Sequence, residues 1–393
     1  MNKLYVFLFC FLLVILSCKE EEGHRPLVSI GKIPDPVTNV QVENLPGAAR
    51  LTYRLPPNNP DLMYVKAEFE TQGIKRNAIA TYYNNTLLVE GFGDTRTYEL
   101  KLYVVNRDEI YSEPVIVNVT PLSPPVMTTF ESLTLNEDFG GSRVNFVNET
   151  MAELAITVIF KDKDGFWVKD ETLYTKQQSA SFAVRGFDPV PTIFGVYIED
   201  RWGNVSDTLT SELTPLYEAI IPKPFTKVVL PTDNTTQYNA TYSMEKMWDD
   251  NISASSIFYT APNSGVPTWF TFDLGVTAKL SRFLYQQRNS PDAVMWSYGN
   301  PRYFEIWGIS NFPQADGSWD GWTKLMDVES VKPSGLPVGQ NSDEDIALMM
   351  KGEEFNFPLD APAVRYIRVK VNGTWNNATF IHIAELTFWG EFK

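Results

Sequence analysis

The 393-residue chain has almost no cysteine or histidine. Its two cysteines, Cys10 and Cys18, both fall in the first eighteen residues, so everything after them lacks disulfides and thiolate metal sites. The two histidines, His24 and His382, cannot build a two-histidine zinc centre, because His24 lies in a charged stretch near the start of the chain. A Ser-His-Asp triad would have to use His382, yet that residue sits between Ile381 and Ile383, an alternation that predicts a structural imidazole on a strand. Basic charge is also short: 33 Lys and Arg against 48 Asp and Glu leave a net charge of −15. That balance excludes nucleic acid, whose phosphates demand a cationic surface. The sequence has no phosphate-cradling glycine loop, nucleophile elbow or metal-histidine helix.

What is present begins with Lys3 and the apolar run Leu4–Leu16, shorter than the ~20 residues a membrane-spanning helix needs. It reads as the core of a signal peptide over residues 1–17. The run ends in Ile15-Leu16-Ser17-Cys18, which resembles the lipobox of bacterial lipoproteins. The resemblance implies a lipid on Cys18 as the first mature residue. Lys19-Glu20-Glu21-Glu22 follows, a charged stretch suited to a solvated tether over 18–33. It also resembles the acidic sorting signal that directs some lipoproteins to the outer face of the outer membrane. The expected location is therefore the cell surface, with the membrane touched only through the lipid.

Aromatic residues make up 13% of the chain, with 26 prolines and 23 glycines, a balance that fits many short strands joined by turns. The expected fold class is all-β, in two or three domains. Over 34–122, Leu51, Tyr53 and Leu55 alternate on one strand face, and Tyr98, Leu100, Leu102 and Val104 alternate near the end. This ending resembles a fibronectin type III domain, with Tyr98 as its corner tyrosine. The segment 123–224 repeats it: Tyr103, Arg107, Ser112, Thr120, Pro121 and Leu122 match Tyr197, Arg201, Ser206, Thr214, Pro215 and Leu216 at a constant offset of 94 residues. One sandwich length of offset implies a second, immunoglobulin-like module. Asp164-Gly165 reads as a hairpin turn, and Asp162 with Asp164 lacks the other positions of a calcium loop.

Pro222-Lys223-Pro224 marks a boundary. Over 225–393 four blocks follow in order: Trp248-Asp249-Asp250-Asn251, Thr268–Gly275, Tyr366-Ile367-Arg368-Val369 and Glu385–Gly390. The succession resembles the discoidin, or coagulation-factor C-type, domain, a galactose-binding-like jelly roll. The expected architecture is thus two tandem fibronectin III-like and immunoglobulin-like sandwiches followed by a discoidin-like jelly-roll sandwich. As a whole the chain resembles the three-domain surface lipoproteins of bacterial polysaccharide-utilisation loci. Between Asp327 and Pro358 it departs from a minimal discoidin domain, and Ser342-Asp343-Glu344-Asp345 before Ile346–Met350 and Gly352 predicts a capped short helix.

The discoidin resemblance implies a calcium ion at Asp249, Asn251 and Glu385, with Asp250 where a glycine is usual; the other reading is a capped turn and an ordinary hydrogen-bonded carboxylate. It also implies a sugar site at Arg288, at the end of the strand Leu280–Arg288 that follows Asp273-Leu274-Gly275. Asn289, Trp296 and Tyr298 share that loop, and Trp375 with Asn376 forms a second-rank pair. Aromatic faces and two-pronged polar groups are what sugar rings require; the competing reading of Trp296 and Tyr298 is local packing. The expected function is non-catalytic capture of a polysaccharide or oligosaccharide at the cell surface. The alternative is a protein-interaction scaffold docking on an outer-membrane glycan importer complex or a neighbouring enzyme. A glycosidase carboxylate pair ranks third, because sequence spacing cannot reveal one.

Overall fold

A computed structural model describes residues 31–57, 61–253 and 255–392. The expected signal peptide, Cys18 and most of the tether lie outside the described residues. The described chain is all-β, as its patterning predicts, with antiparallel sheets in three successive groups, each around its own apolar cluster.

In the first group, strands Thr38–Leu45, Ala48–Arg54 and Thr86–Glu90 face a sheet of Ile74–Thr81, Leu62–Thr71, Tyr98–Asn106 and Val115–Val119. Leu51 and Tyr53 are buried and Leu55 packs against the same core, while Arg50 and Arg54 point to solvent. Tyr98 is buried, and its hydroxyl donates to Asp94 Oδ1 at 2.8 Å, tying down the corner before its strand.

The second group pairs the sheet of Ser179–Val184, Gly141–Val147 and Thr134–Asp138 with one of Trp167–Thr175, Leu154–Lys161, Thr192–Asp200 and Leu209–Leu213. The 94-residue repeat has a hydrogen-bonding basis. Ser112 Oγ accepts from the Val104 N–H at 3.0 Å, and Ser206 Oγ accepts from the Ile198 N–H at 2.9 Å. Asn106 Oδ1 accepts from the N–H groups of Asp108 and Ile110, as Asp200 Oδ1 does from those of Trp202 and Asn204. Leu122 bridges Pro46, as Leu216 bridges Phe139. Asp162 Oδ1 accepts from the N–H groups of Asp164 and Phe166 at 3.0 and 2.8 Å, so this carboxylate shapes a turn. One element has no counterpart in the patterning: helix Pro125–Glu131 opens the module with proline at its first position, where the missing N–H costs nothing.

The third group is an eight-stranded sheet centred on Thr268–Gln286, a strand of 19 residues. Its first part pairs with Val364–Thr374 and its second with Glu385–Phe392, the register shifting between Asp273 and Ala278 around Gly275 at φ 81°. Aromatic rings fill the interior: Trp248 and Phe272 lie 5.3 Å apart, Phe283 and Phe388 5.5 Å. The chain joins this sheet early, Ala219–Ile220 pairing with Glu385–Phe392 ahead of the prolines that mark the expected boundary. Glu218 locks the join. Its buried carboxylate accepts from Arg185 of the second module at 3.0 Å, and from Ser281 and Arg282 of the third at 2.5 and 3.2 Å.

Arg368 is fully buried between Trp319 and Trp322, each ring centroid 4.5 Å from its guanidinium carbon. It donates to Thr271 Oγ1 at 3.1 Å and lies 3.6 Å from Asp233, itself almost wholly buried. Arg368→Met would leave Asp233 a buried charge without its partner, a class of change that costs about 3–5 kcal/mol. Denaturant unfolding followed by tryptophan fluorescence is expected to show that loss in the C-terminal transition. Arg368→Lys should recover only part of it, because an ammonium cannot stack between two rings and reach the same acceptors.

Candidate functional site

Asn300 organises one end of the C-terminal sandwich. Its Nδ2 donates to the carbonyls of Val294 and Arg288 at 2.9 and 3.2 Å, and its Oδ1 accepts from the Arg288 N–H at 3.0 Å. Two carbonyl acceptors fix which end of the amide is nitrogen, so His382 Nδ1, 2.9 Å from Oδ1, must carry the proton. His382 Nε2 is then a bare acceptor, buried with no hydrogen-bond partner among the described residues. The expected structural imidazole is indeed fully buried, on strand His382–Ile383.

The Arg288 guanidinium lies close enough for its charge to act on both His382 and Tyr259. Its Nε is buried without a hydrogen-bond partner among the described residues. Tyr259 belongs to a cluster of rings. Tyr238 stacks on it at 5.0 Å, Tyr242 meets it edge-on at 5.7 Å, and Phe380 meets it edge-on at 5.3 Å. Tyr238 is 48% exposed and Tyr298 45%. Burial first, then the neighbouring Tyr238 hydroxyl, holds the Tyr259 phenol above its ordinary value, and Arg288 works against both. Gly299 permits the close approach of the two loops that meet here, since a Cβ at that position would lie 2.6 Å from Phe380 Cδ2.

Of the six expected ligand residues, Arg288, Tyr298 and Asn376 share this end, the Asn376 N–H donating to the Tyr298 carbonyl at 3.3 Å. Asn289 is buried. Trp296 is a correction: it is fully buried, and its Nε1–H donates to the Asp345 carbonyl at 3.0 Å. It packs with Met295 and Met349 beneath helix Asp343–Lys351, so no sugar ring can reach it. The sequence does predict that helix, down to the capping box of Ser342 with Asp345 and the stop at Gly352. Trp375 is half-buried, its ring edge-on to Trp296 at 5.2 Å, with the Arg302 guanidinium 4.5 Å above it. Its Nε1–H donates to Ser330 Oγ at 3.1 Å, making it a support of the loop.

Tyr238, Tyr242, Tyr259 and Phe380 escape sequence reasoning, because they stand in stretches that follow no strand period. The one available signal is the cluster Tyr238-Asn239-Ala240-Thr241-Tyr242, in which two aromatics flank small and polar residues outside any apolar run.

The expected calcium ligands do not converge. Asp249 Oδ2 is taken by Ser256 at 2.7 Å and Lys246 at 3.0 Å, and its Oδ1 accepts from the Asn251 N–H. Asn251 Oδ1 caps the Ser253 N–H, and Glu385 pairs with the Lys223 ammonium. Among the described residues no group of three or more His, Cys, Asp or Glu side chains is arranged to hold a metal ion. The side chains present do not fit a calcium ion, which needs six to eight oxygens.

Burial, then the Arg288 charge, lowers the His382 pKa to about 3. The folded imidazole stays neutral while the unfolded one titrates near 6.5, so the unfolded state binds the extra proton between those values. Stability therefore falls as pH drops below about 6.5, by about 2 kcal/mol at pH 5. Buried Glu353 and Glu385 have raised pKa values and oppose this trend. The expected readout is consequently a difference: denaturant midpoints across pH 7.5 to 4.5 should fall more steeply for the natural chain than for His382→Gln.

Three sequence families match the chain in succession, each described as a domain of unknown function: DUF4959 over residues 34–121, DUF5126 over 122–224 and DUF5000 over 248–390. None carries a catalytic description. No curated protein matches. Among solved structures, the C-terminal domain of a chitobiase from Bacteroides fragilis is 13% identical with a TM-score of 0.29, over 42% of this chain and 99% of that one. GH31 CBM32-2 bound to GalNAc is 11% identical with a TM-score of 0.29, over 43% of this chain and 100% of that one. Neither bears on what this chain binds. The SusE-like protein BT2857 is 37% identical with a TM-score of 0.46, over 69% of this chain and 100% of that one. With that identity sustained along the whole of the relative, the chain belongs to the family of SusE-like proteins.

Proposed function

We propose that this chain is a non-catalytic glycan-binding lipoprotein of the cell surface, anchored to the outer membrane through Cys18 and serving a polysaccharide-utilisation system. The fibronectin III-like and immunoglobulin-like modules act as spacers, and the discoidin-like domain presents the ligand site. The observation that carries the reading is the Arg288 guanidinium, with a buried unpartnered Nε and a charge that reaches Tyr259, the ring that Tyr238 stacks on and Phe380 meets edge-on. A sugar ring offers an apolar C–H face to an aromatic side chain and vicinal hydroxyls to a planar fork of N–H donors. Tyr298 and Asn376 add a second exposed ring and an amide on the same rim. Kinship with a SusE-like protein and the lipobox-like Ile15-Leu16-Ser17-Cys18 support the surface location. A shallow, solvated site of this kind binds weakly, and many copies on one surface compensate through avidity.

Affinity electrophoresis through gels containing a range of polysaccharides tests the proposal. Retardation by at least one of them is expected, and Arg288→Ala with Tyr259→Ala should weaken it at least about tenfold while circular dichroism stays unchanged. Undiminished retardation by the folded double variant would refute the site. Capture of a stoichiometric membrane protein by a chain that no glycan retards would favour the scaffold reading instead.

A further inference from the structure

The cation that the C-terminal sandwich holds at Glu385 is part of its own chain. Lys223 is almost wholly buried, 8% exposed in its side chain, and Glu385 is 3% exposed. The Lys223 ammonium bonds Glu385 Oε1, Thr387 Oγ1 at 2.8 Å and Asp250 Oδ1 at 2.9 Å. An ammonium has three protons to donate, and each finds an oxygen. Those oxygens come from the loop after Trp248 and from the last strand, the two places from which the expected metal ligands would come. Asp250 stands there in a left-handed conformation at φ 56°, and its carboxylate supplies the outermost of the three acceptors.

Lys223 is held in place from both sides. Two residues before it, the Ile221 N–H donates to the Phe388 carbonyl at 2.8 Å; two residues after it, buried Phe225 packs on Phe272, Trp248 and Phe388. The ammonium is therefore delivered to a fixed point and does not reach it by chance rotation of a long side chain. A divalent cation cannot enter the same point, since it would meet a fixed positive charge and find three of its oxygens already committed.

We propose that Lys223 is a built-in substitute for a metal ion, an ammonium from the inter-module connection that neutralises Glu385 and ties the loop after Trp248 to the last strand. The sandwich then closes without calcium, and it closes only when the connection from the second module is docked. This holds whether or not the site around Arg288 takes glycan.

The test is thermal unfolding of the full-length chain with EDTA, with millimolar calcium chloride and with neither, alongside elemental analysis. The natural chain is expected to contain no stoichiometric metal and to keep its midpoint within about 1 °C in all three conditions. Lys223→Met should lower the midpoint of the C-terminal transition by about 5 °C or more, because it orphans a buried carboxylate. Lys223→Met with Glu385→Gln should recover more than half of that loss. A midpoint that EDTA lowers and calcium restores, or a Lys223→Met chain as stable as the natural one, would overturn the proposal. Should Lys223→Met fail to fold, a folded double variant supports the proposal and an unfolded one overturns it, and the chelator arm on the natural chain decides independently.

Discussion

The ligand end of the molecule hangs on one carboxamide. Asn300 is fully buried and uses both of its donors on the carbonyls of Val294 and Arg288, and its oxygen on the Arg288 N–H and the His382 ring. Gripping Arg288 through both its N–H and its carbonyl sets the backbone at the end of a long strand, and the guanidinium then comes to rest by Tyr259. The same four contacts decide the His382 tautomer and leave Nε2 without a partner. Gly299, beside it, lets the loop of Phe380 approach. An alanine or aspartate at position 300 would strip the loop of partners that nothing nearby replaces, and unmet buried donors and acceptors cost about 1–3 kcal/mol each. The geometry of Arg288 is in this sense a property of Asn300.

Beyond Cys18 the chain has no cysteine to staple it, and buried charges mark the places where distant segments must meet. Glu218 joins Arg185 to Arg282 across the second and third modules, Arg368 joins Asp233 to the turn of Gly317 and Ser318, and Lys223 joins Asp250 to Glu385. Such pairs add little net stability relative to well-packed apolar residues, because each ion first loses its water. Their effect is on register: with either partner absent the other is left buried and uncompensated, so alternative packings of the same strands are heavily penalised. For a protein of many short strands, where a one-residue slip turns a core face outward, that penalty is worth more than the pairs' own attraction.

Much of this was legible in the sequence wherever a residue's role follows from local period. The alternation around Leu51 and Tyr53, the turn at Asp164-Gly165 and the capping box at Ser342 each depend on neighbours within a few positions, and each forms as expected. The 94-residue repeat was legible for a different reason: it preserves the hydrogen-bonding serines Ser112 and Ser206, so identity at those positions reports geometry, whereas the turn caps Asn106 and Asp200 share a role without sharing identity. What escaped was whatever depends on long-range placement. Trp296 reads as an exposed loop aromatic until the helix 343–351, some fifty residues later, is seen to cover it. Tyr238 and Tyr259 acquire a role only through Arg288, and Lys223 looks like a linker lysine between two prolines until Glu385 is brought to it.

The burial of Trp296 bears on the site even though it removes that ring from the ligand. Trp296 and Tyr298 both hold positive φ, 48° and 50°, a conformation that costs a bulky residue roughly 1–2 kcal/mol. A loop would relax out of two such residues unless something held it. Here the Trp296 side chain is fixed by its bond to the Asp345 carbonyl and by the ring of Trp375, and Asp345 is in turn fixed by Ser334 and Ser342. Burial alone would raise the Asp345 carboxyl, but those hydrogen bonds and the nearby Lys332 outweigh it and keep the carboxylate charged. The inserted helix therefore holds the strained loop from beneath, so that Tyr298 projects into solvent on the rim shared with Asn376 while Trp296 points the other way. An exposed ring in a strained, immobilised backbone has little conformational entropy left to lose on contact, which suits a shallow site with few contacts to offer.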